Sequence, residues 1–191
     1  MSNYNANRKR LIEIVKARSF STGAEIKLVS GRSSNFYFNM KPTMLDAEGA
    51  YLIATLVLDS IKGEDVDLVG GLEMGAVPLA AAVAVMSQTL GWPLQAFFVR
   101  KQAKEHGAKK LVEGLAPHES LQGKRVVILE DVTTTGGSSM KAIEAVQAEG
   151  ASVVRVITIV DRLEGAADSF KAAGIPFSAV LTVDDFREQP A

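Results

Sequence analysis

Residues 126–139 read VVILEDVTTTGGSS, and this stretch restricts the fold of the chain more than any other. Four β-prone apolar residues in a row, without polar alternation, describe a strand covered on both faces, the habit of a parallel sheet in an α/β layer structure. The strand runs into two adjacent carboxylates, Glu130 and Asp131, then Val132, Thr133, Thr134, Thr135, Gly136, Gly137 and Ser138. Neighbouring carboxylates at the end of a buried strand repel one another and resist desolvation unless a ligand or cation pairs with them. The Thr/Gly turn opens a helix, and there backbone N–H groups, hydroxyls and the positive end of the helix dipole suit an anion. Hydroxyls for the acids and a phosphate for the turn together describe a sugar phosphate. The turn lacks the Gly-Lys-Ser/Thr of a Walker A loop and is not a GxGxxG dinucleotide turn. A capped strand–helix turn with surface acids accounts for the glycines alone, but not for the whole succession.

The rest of the chain repeats the same strand–helix rhythm. Apolar spacing predicts a first helix over residues 8–18, and β-prone runs around a Ser-Gly-Arg-Ser-Ser turn predict a hairpin within residues 26–39. Asp46 is placed to cap a buried helix over residues 50–61. Strands are expected over residues 66–69, 95–99, 125–129, 153–160 and 178–183. Helices are expected from near Pro78, over residues 138–149 with Gly150 as the stop, and over residues 166–173 ending at Gly174. This alternation specifies an α/β fold, a mostly parallel twisted sheet flanked by helices. Ligands of such sheets sit outside the carboxyl ends of the strands, which singles out the loops after Val69, Val99, Leu129 and Val160.

Composition narrows the classes further. Apolar residues at 47% and charged residues at 23% suffice for a substantial core, and a net charge of −1 gives no global attraction to nucleic acid or an anionic membrane. With no cysteine, a disulfide framework, a thiolate zinc site and a cysteine nucleophile are all excluded. The apolar runs at residues 50–58 and 79–86 are too short to span a bilayer, and the basic N-terminus has no apolar signal core behind it. No repeat or linker interrupts the chain. The expectation is a cytoplasmic protein whose residues 1–191 form one domain.

The loop after Val99 carries Arg100, Lys101, Lys104, Lys109 and Lys110, with His106 and Glu105 among them. A charge run usually means a solvated surface. Its position on the ligand side of the sheet gives it a second reading, as a cationic cover for a polyanion. His118, in a Pro-His-Glu-Ser turn, reads as a surface residue.

Residues 126–137 resemble the phosphoribosyl-diphosphate (PRPP) signature of the type I phosphoribosyltransferases, and the Arg-Lys-x-x-Lys-x-His-Gly spacing from Arg100 is similar to the catalytic loop of their orotate branch. The resemblance runs from Leu11 to Val183 with the motifs in order. It implies the type I phosphoribosyltransferase fold, with residues 1–45 contributing a small N-terminal hood and residues 46–191 the core. It implies transfer of ribose 5-phosphate from PRPP to orotate, giving orotidine 5′-monophosphate and pyrophosphate in pyrimidine (UMP) biosynthesis. Glu130 and Asp131 would meet the ribose, Thr133, Thr134, Thr135, Gly136, Gly137 and Ser138 would cradle the 5′-phosphate, and Val132 between them would belong to the PRPP-binding set. Arg100, Lys101, Lys104 and His106 would bind PRPP at its pyrophosphate. Lys104 and His106, with Asp131, would be the catalytic groups. Arg162 and Thr134 match orotate contacts, and Tyr37 and Phe38 match aromatics near the base. Where the family often has a lysine just before the Ser30-Gly31 turn this chain has Val29, which leaves Lys27, two residues earlier, as the candidate cation. The Gly-Gly turn after Val69 would form the pyrophosphate-side loop. Mg²⁺ would arrive on PRPP rather than on protein ligands, and a homodimer would share its sites through the basic loop. The alternatives are transfer to another base, or a non-catalytic PRPP or nucleotide sensor; the basic loop and Arg162 disfavour both.

Overall fold

A computed structural model of the chain describes residues 4–27, 33–102 and 111–187. Helix α1 spans Tyr4–Arg18 and buries Leu11, Ile14 and Val15, a three-and-four spacing that makes one apolar face. The hairpin pairs β1 (Phe20–Lys27) with β2 (Ser33–Phe38), with an irregularity in register between Thr22 and Ile26. A single turn, α2 (Lys41–Met44), precedes α3 (Ala47–Ser60). Asp46 caps α3 as expected, its carboxylate accepting from the Gly49 backbone N–H at 3.1 Å.

Strand β3 (Leu68–Gly70) leads to α4 (Ala76–Thr89), then β4 (Gln95–Ala96), β5 (Phe98–Val99) and β6 (Val112–Glu113). Beyond these come β7 (Arg125–Thr133), α5 (Gly137–Ala148), β8 (Ser152–Asp161), α6 (Ala166–Ala172), β9 (Phe177–Thr182) and a 3-10 turn at Val183–Asp185. The central sheet has the order β4-β3-β7-β8-β9, parallel throughout. Residues 95–99 depart from the expected single strand. The chain bends at the buried Phe97, so that β4 stays beside β3 while β5 turns to pair antiparallel with β6.

Strand β7 explains the two-layer packing by itself. Val127 and Leu129 join the core under α1, α3 and α4, whereas Val126 and Ile128 join the core under α5 and α6. All four are fully buried, each contributing roughly 1.5–3 kcal/mol of transfer free energy. Strand order reverses between β3 and β7, so the ligand crevice of this topology opens beyond the carboxyl ends of those two strands.

The N-terminal elements are fastened to the far end of the sheet. Arg8 donates from Nε to the Val180 carbonyl at 3.0 Å and from Nη2 to Asp185 at 2.6 Å. Phe20 and Phe38 of the hairpin pack on Phe186, with ring centroids 5.3 and 5.0 Å away. The hairpin thereby reaches the side of the crevice where β8 ends.

Candidate active site

The acid pair lies where the buried strand meets the crevice. Glu130 is 7% exposed and accepts a 3.0 Å hydrogen bond from the Ser139 hydroxyl. Burial, reinforced by the charge of Asp131, pushes its carboxyl up to about 8, with the Ser139 hydrogen bond opposing the shift. Asp131 is half-buried and turns back, its Oδ1 accepting from the Val132 backbone N–H at 2.9 Å.

Beyond the pair the chain makes the expected turn. Gly136 takes a left-handed φ of 88°, open to glycine at little cost, and α5 begins at the next residue. A Cβ at Gly136 would stand 2.9 Å from the Phe170 ring, so small size is required there as well. Residues 133–138 line a cavity of about 320 Å³ with Glu130, Val132 and Lys141. All six residues expected to cradle a phosphate thus border one cavity. Lys141 joins them, one turn into α5, without having been singled out in the sequence. The Thr133 hydroxyl is buried and finds no hydrogen-bond partner among the described residues.

The glycine loop after β3 forms the opposite wall. Gly71 passes so close to the Leu129 carbonyl that any side chain would collide with it. The loop contains a cis Glu73–Met74 peptide bond. It is tied to the strand feeding the basic loop: Val99 N–H donates to the Gly71 carbonyl and Glu73 N–H to the Val99 carbonyl, both at 2.8 Å. The Glu73 carboxylate also accepts from the Lys101 backbone N–H at 2.9 Å. The Arg100 N–H donates to the Leu111 carbonyl at 2.9 Å, so the root of the basic loop is closed by backbone pairing. Arg100 and Lys101 therefore stand beside the glycine loop, while Lys104 and His106 lie outside the described residues. His118 is exposed, as expected.

At the end of β8 the Arg162 backbone N–H donates to the Thr133 carbonyl at 3.0 Å, which fixes this residue to the Thr/Gly turn. Its side chain is buried, with Nε donating to Glu164 at 2.8 Å and the guanidinium carbon 4.5 Å from the Phe36 ring centroid. Asp161, buried before it, has a carboxyl raised by desolvation, partly offset by the Leu163 N–H that it accepts. Thr134 is half-buried and borders the same cavity as Glu130 and Lys141.

The hairpin aromatics divide by strand alternation. Phe38 is buried among Phe20, Phe36 and Phe186, a core position; Tyr37, on the opposite face, is 43% exposed. Phe36, which the sequence reading passed over, faces Arg162. Lys27 closes β1 opposite Ser33, and its side chain lies outside the described residues.

Comparison with known proteins agrees with this geometry. Residues 43–187 match the family model of the phosphoribosyl transferase domain. The chain is 60% identical to the orotate phosphoribosyltransferase of Bradyrhizobium diazoefficiens over 181 residues, 95% of this chain and 96% of that protein. The crystal structure of Mycobacterium tuberculosis orotate phosphoribosyltransferase with Fe(III) dicitrate superposes with a TM-score of 0.82 at 37% identity, covering 95% of this chain and 99% of that one. The same enzyme in complex with PRPP superposes at 0.76 and 33% identity, covering 95% and 92%. The strand, acid pair and phosphate turn of β7 therefore sit in a chain that belongs to the orotate phosphoribosyltransferase family.

Proposed function

We propose that the protein transfers the 5-phosphoribosyl group of PRPP to orotate, forming orotidine 5′-monophosphate and pyrophosphate, a step of UMP biosynthesis. The observation that carries this reading is the attachment of a buried arginine, Arg162, to the phosphate turn through Thr133. An anionic base and a sugar phosphate are then recognised by adjoining backbone.

In the reaction the bond from the anomeric carbon to pyrophosphate breaks as the bond from the base nitrogen forms, and positive charge develops on the ribose. The N–H groups and hydroxyls of residues 133–138 hold the 5′-phosphate at the start of α5. Glu130 and Asp131 bind the ribose hydroxyls and hold the sugar while the charge develops. Arg162, with Thr134, takes the orotate carboxylate through in-plane donors. Arg100 and Lys101 draw the pyrophosphate to the glycine loop; Lys104 and His106 stabilise or protonate it as it departs. Residues 1–45 serve as a hood over the base, a role supported by Phe36 reaching Arg162 from β2.

Mg²⁺ fits the donor chemistry as a substrate-borne ion. The half-buried Asp131 carboxylate at the crevice would offer one hard oxygen donor to an ion carried by PRPP. When bound it would neutralise pyrophosphate charge. Self-association is supported by an apolar groove between α3 and α4, where Tyr51, Val85 and Leu90 are each more than half exposed. No helix among the described residues is long and apolar enough to cross a membrane.

The test is pyrophosphate release with PRPP, Mg²⁺ and each base in turn. Release with orotate alone is the expected result. Release with adenine, xanthine or uracil in its place, or with no base at all, overturns the reading.

A further inference from the structure

Arg162 is not held by its own strand alone. Its side chain is almost fully buried, and among the described residues two groups from different parts of the fold meet it. Glu164 accepts from Nε at 2.8 Å, with its own side chain 22% exposed. Phe36, from the N-terminal hairpin, presents its ring to the guanidinium, 4.5 Å from centroid to carbon. The turn that brings Glu164 back is itself specified. Leu163 adopts a left-handed φ of 58°, rare for a branched side chain, and its N–H is held by Asp161 at 2.9 Å. A residue keeps such a conformation only where its surroundings over-determine it.

From this geometry we infer that Glu164 and Phe36 are positioning residues that set base specificity through Arg162. A guanidinium bonds only in its own plane and loses bidentate recognition when it rotates. The Nε–carboxylate bond restrains one edge of the guanidinium, and the Phe36 ring restrains it through a second contact. A flat base bearing a carboxylate then meets donors already aimed at it, and the cost of ordering a long side chain falls outside the binding step. Because Phe36 belongs to the hairpin and Glu164 to the core, base selection depends on hairpin docking. This inference rests on the orotate reading above.

The charge of Glu164 makes the idea separable from simple electrostatics. If its role were electrostatic, the negative charge beside Arg162 would weaken binding of an anionic base, and Glu164→Gln and Glu164→Ala would both improve it. If it positions Arg162, the two variants part: glutamine keeps an acceptor for Nε and alanine does not.

The experiment measures KM for orotate and for PRPP, kcat, and the preference for orotate over uracil in the full-length protein. It compares wild type, Glu164→Ala, Glu164→Gln, Phe36→Leu and Phe36→Tyr. Glu164→Ala is expected to raise KM for orotate on the order of 10-fold or more, the scale of a charge-assisted hydrogen bond, with KM for PRPP within about 2-fold. Glu164→Gln is expected to stay within about 3-fold of wild type. Phe36→Leu should raise KM for orotate roughly 3- to 10-fold through loss of a buried cation–π contact, and Phe36→Tyr should restore it. Preference for orotate over uracil falls in parallel. An unchanged KM for orotate in Glu164→Ala, or equal losses for orotate and PRPP, overturns the positioning role. Wild type without orotate-dependent pyrophosphate release overturns the underlying reading instead, so the two failures are distinct.

Discussion

Asp131 occupies the space in which a side chain on Gly75 would begin: a Cβ built there lies 2.5 Å from Asp131 Oδ1. The carboxylate expected to meet the ribose and the loop expected to meet the pyrophosphate are thus packed against each other, and only glycine permits it. Gly75→Ala should push the carboxylate aside while leaving the backbone in place. A hydrogen bond to a charged group is worth about 1.5–3 kcal/mol, so kcat/KM for PRPP should fall roughly 10- to 100-fold with little change in Tm. Gly71 is the control, because a side chain there meets the Leu129 backbone carbonyl and not a movable carboxylate. Gly71→Ala should chiefly destabilise the fold. Equal thermal losses in the two variants would contradict the distinction.

Glu130 makes the ligand-free protein pH-sensitive. Its carboxyl is raised to about 8 in the fold against the ordinary value of 4.5 in the unfolded chain. Between these values the unfolded chain binds fewer protons than the folded one, so stability falls as pH rises from about 4.5 to 8 and then levels. Glu130→Gln removes this slope while keeping an acceptor for Ser139. Thermal melts at pH 8 should show the variant more stable by roughly 5 °C, the gap closing towards pH 4.5. Turnover should fall above pH 8, where the wild-type carboxyl is ionised and the amide brings no charge to the ribose. A stability gap independent of pH would sink the assignment.

Lys141 borders the phosphate cavity from the first turns of α5 and is exposed. A cation there attracts a dianionic phosphate through solvent, an interaction screened over about 10 Å at 0.1 M salt. Lys141→Gln should raise KM for PRPP about 5-fold at low ionic strength, an effect of roughly 1 kcal/mol. The difference should shrink above 0.5 M salt, and Lys141→Arg should behave like wild type. Titration with ribose 5-phosphate gives the same comparison without turnover, and a salt-independent loss would point to a packing role.

Much of the site was legible in residues 126–139 because burial, charge and turn chemistry there agree with one another. An unbroken apolar run, two acids and a Thr/Gly turn have few joint solutions, and the structure realises them as β7, the crevice edge and the start of α5. The hairpin was different. Phe36, Tyr37 and Phe38 have the same strand preference, and only the register, Phe38 opposite Phe20 and Phe36 opposite Thr22, decides which ring faces Arg162. Register comes from tertiary packing, so a local pattern did not supply it. Residues 95–99 read as one strand for a related reason. Apolar character is continuous across Phe97, while the bend there depends on β6, whose two residues pair only in the folded chain. Glu164 and Lys141 gave no signal at all, since charged residues at a helix start or in a loop are ordinarily solvated.

Leu163 permits a test of the turn that folds Glu164 onto Arg162. At φ 58° a side chain with a Cβ costs roughly 1–2 kcal/mol relative to glycine. Glycine loses more chain entropy on folding, by about 0.5–1 kcal/mol relative to alanine. The first effect is the larger, so the usual ranking of the two residues should invert here. Because Leu163→Gly and Leu163→Ala delete nearly the same apolar body, their difference isolates the backbone term from the loss of a half-exposed leucine. Leu163→Gly should be the more stable by about 0.5–1 kcal/mol, or roughly 2 °C in Tm for a chain of this size. If alanine proves the more stable, the left-handed turn is absent in solution, and the route by which Glu164 reaches Arg162 would have to be redrawn.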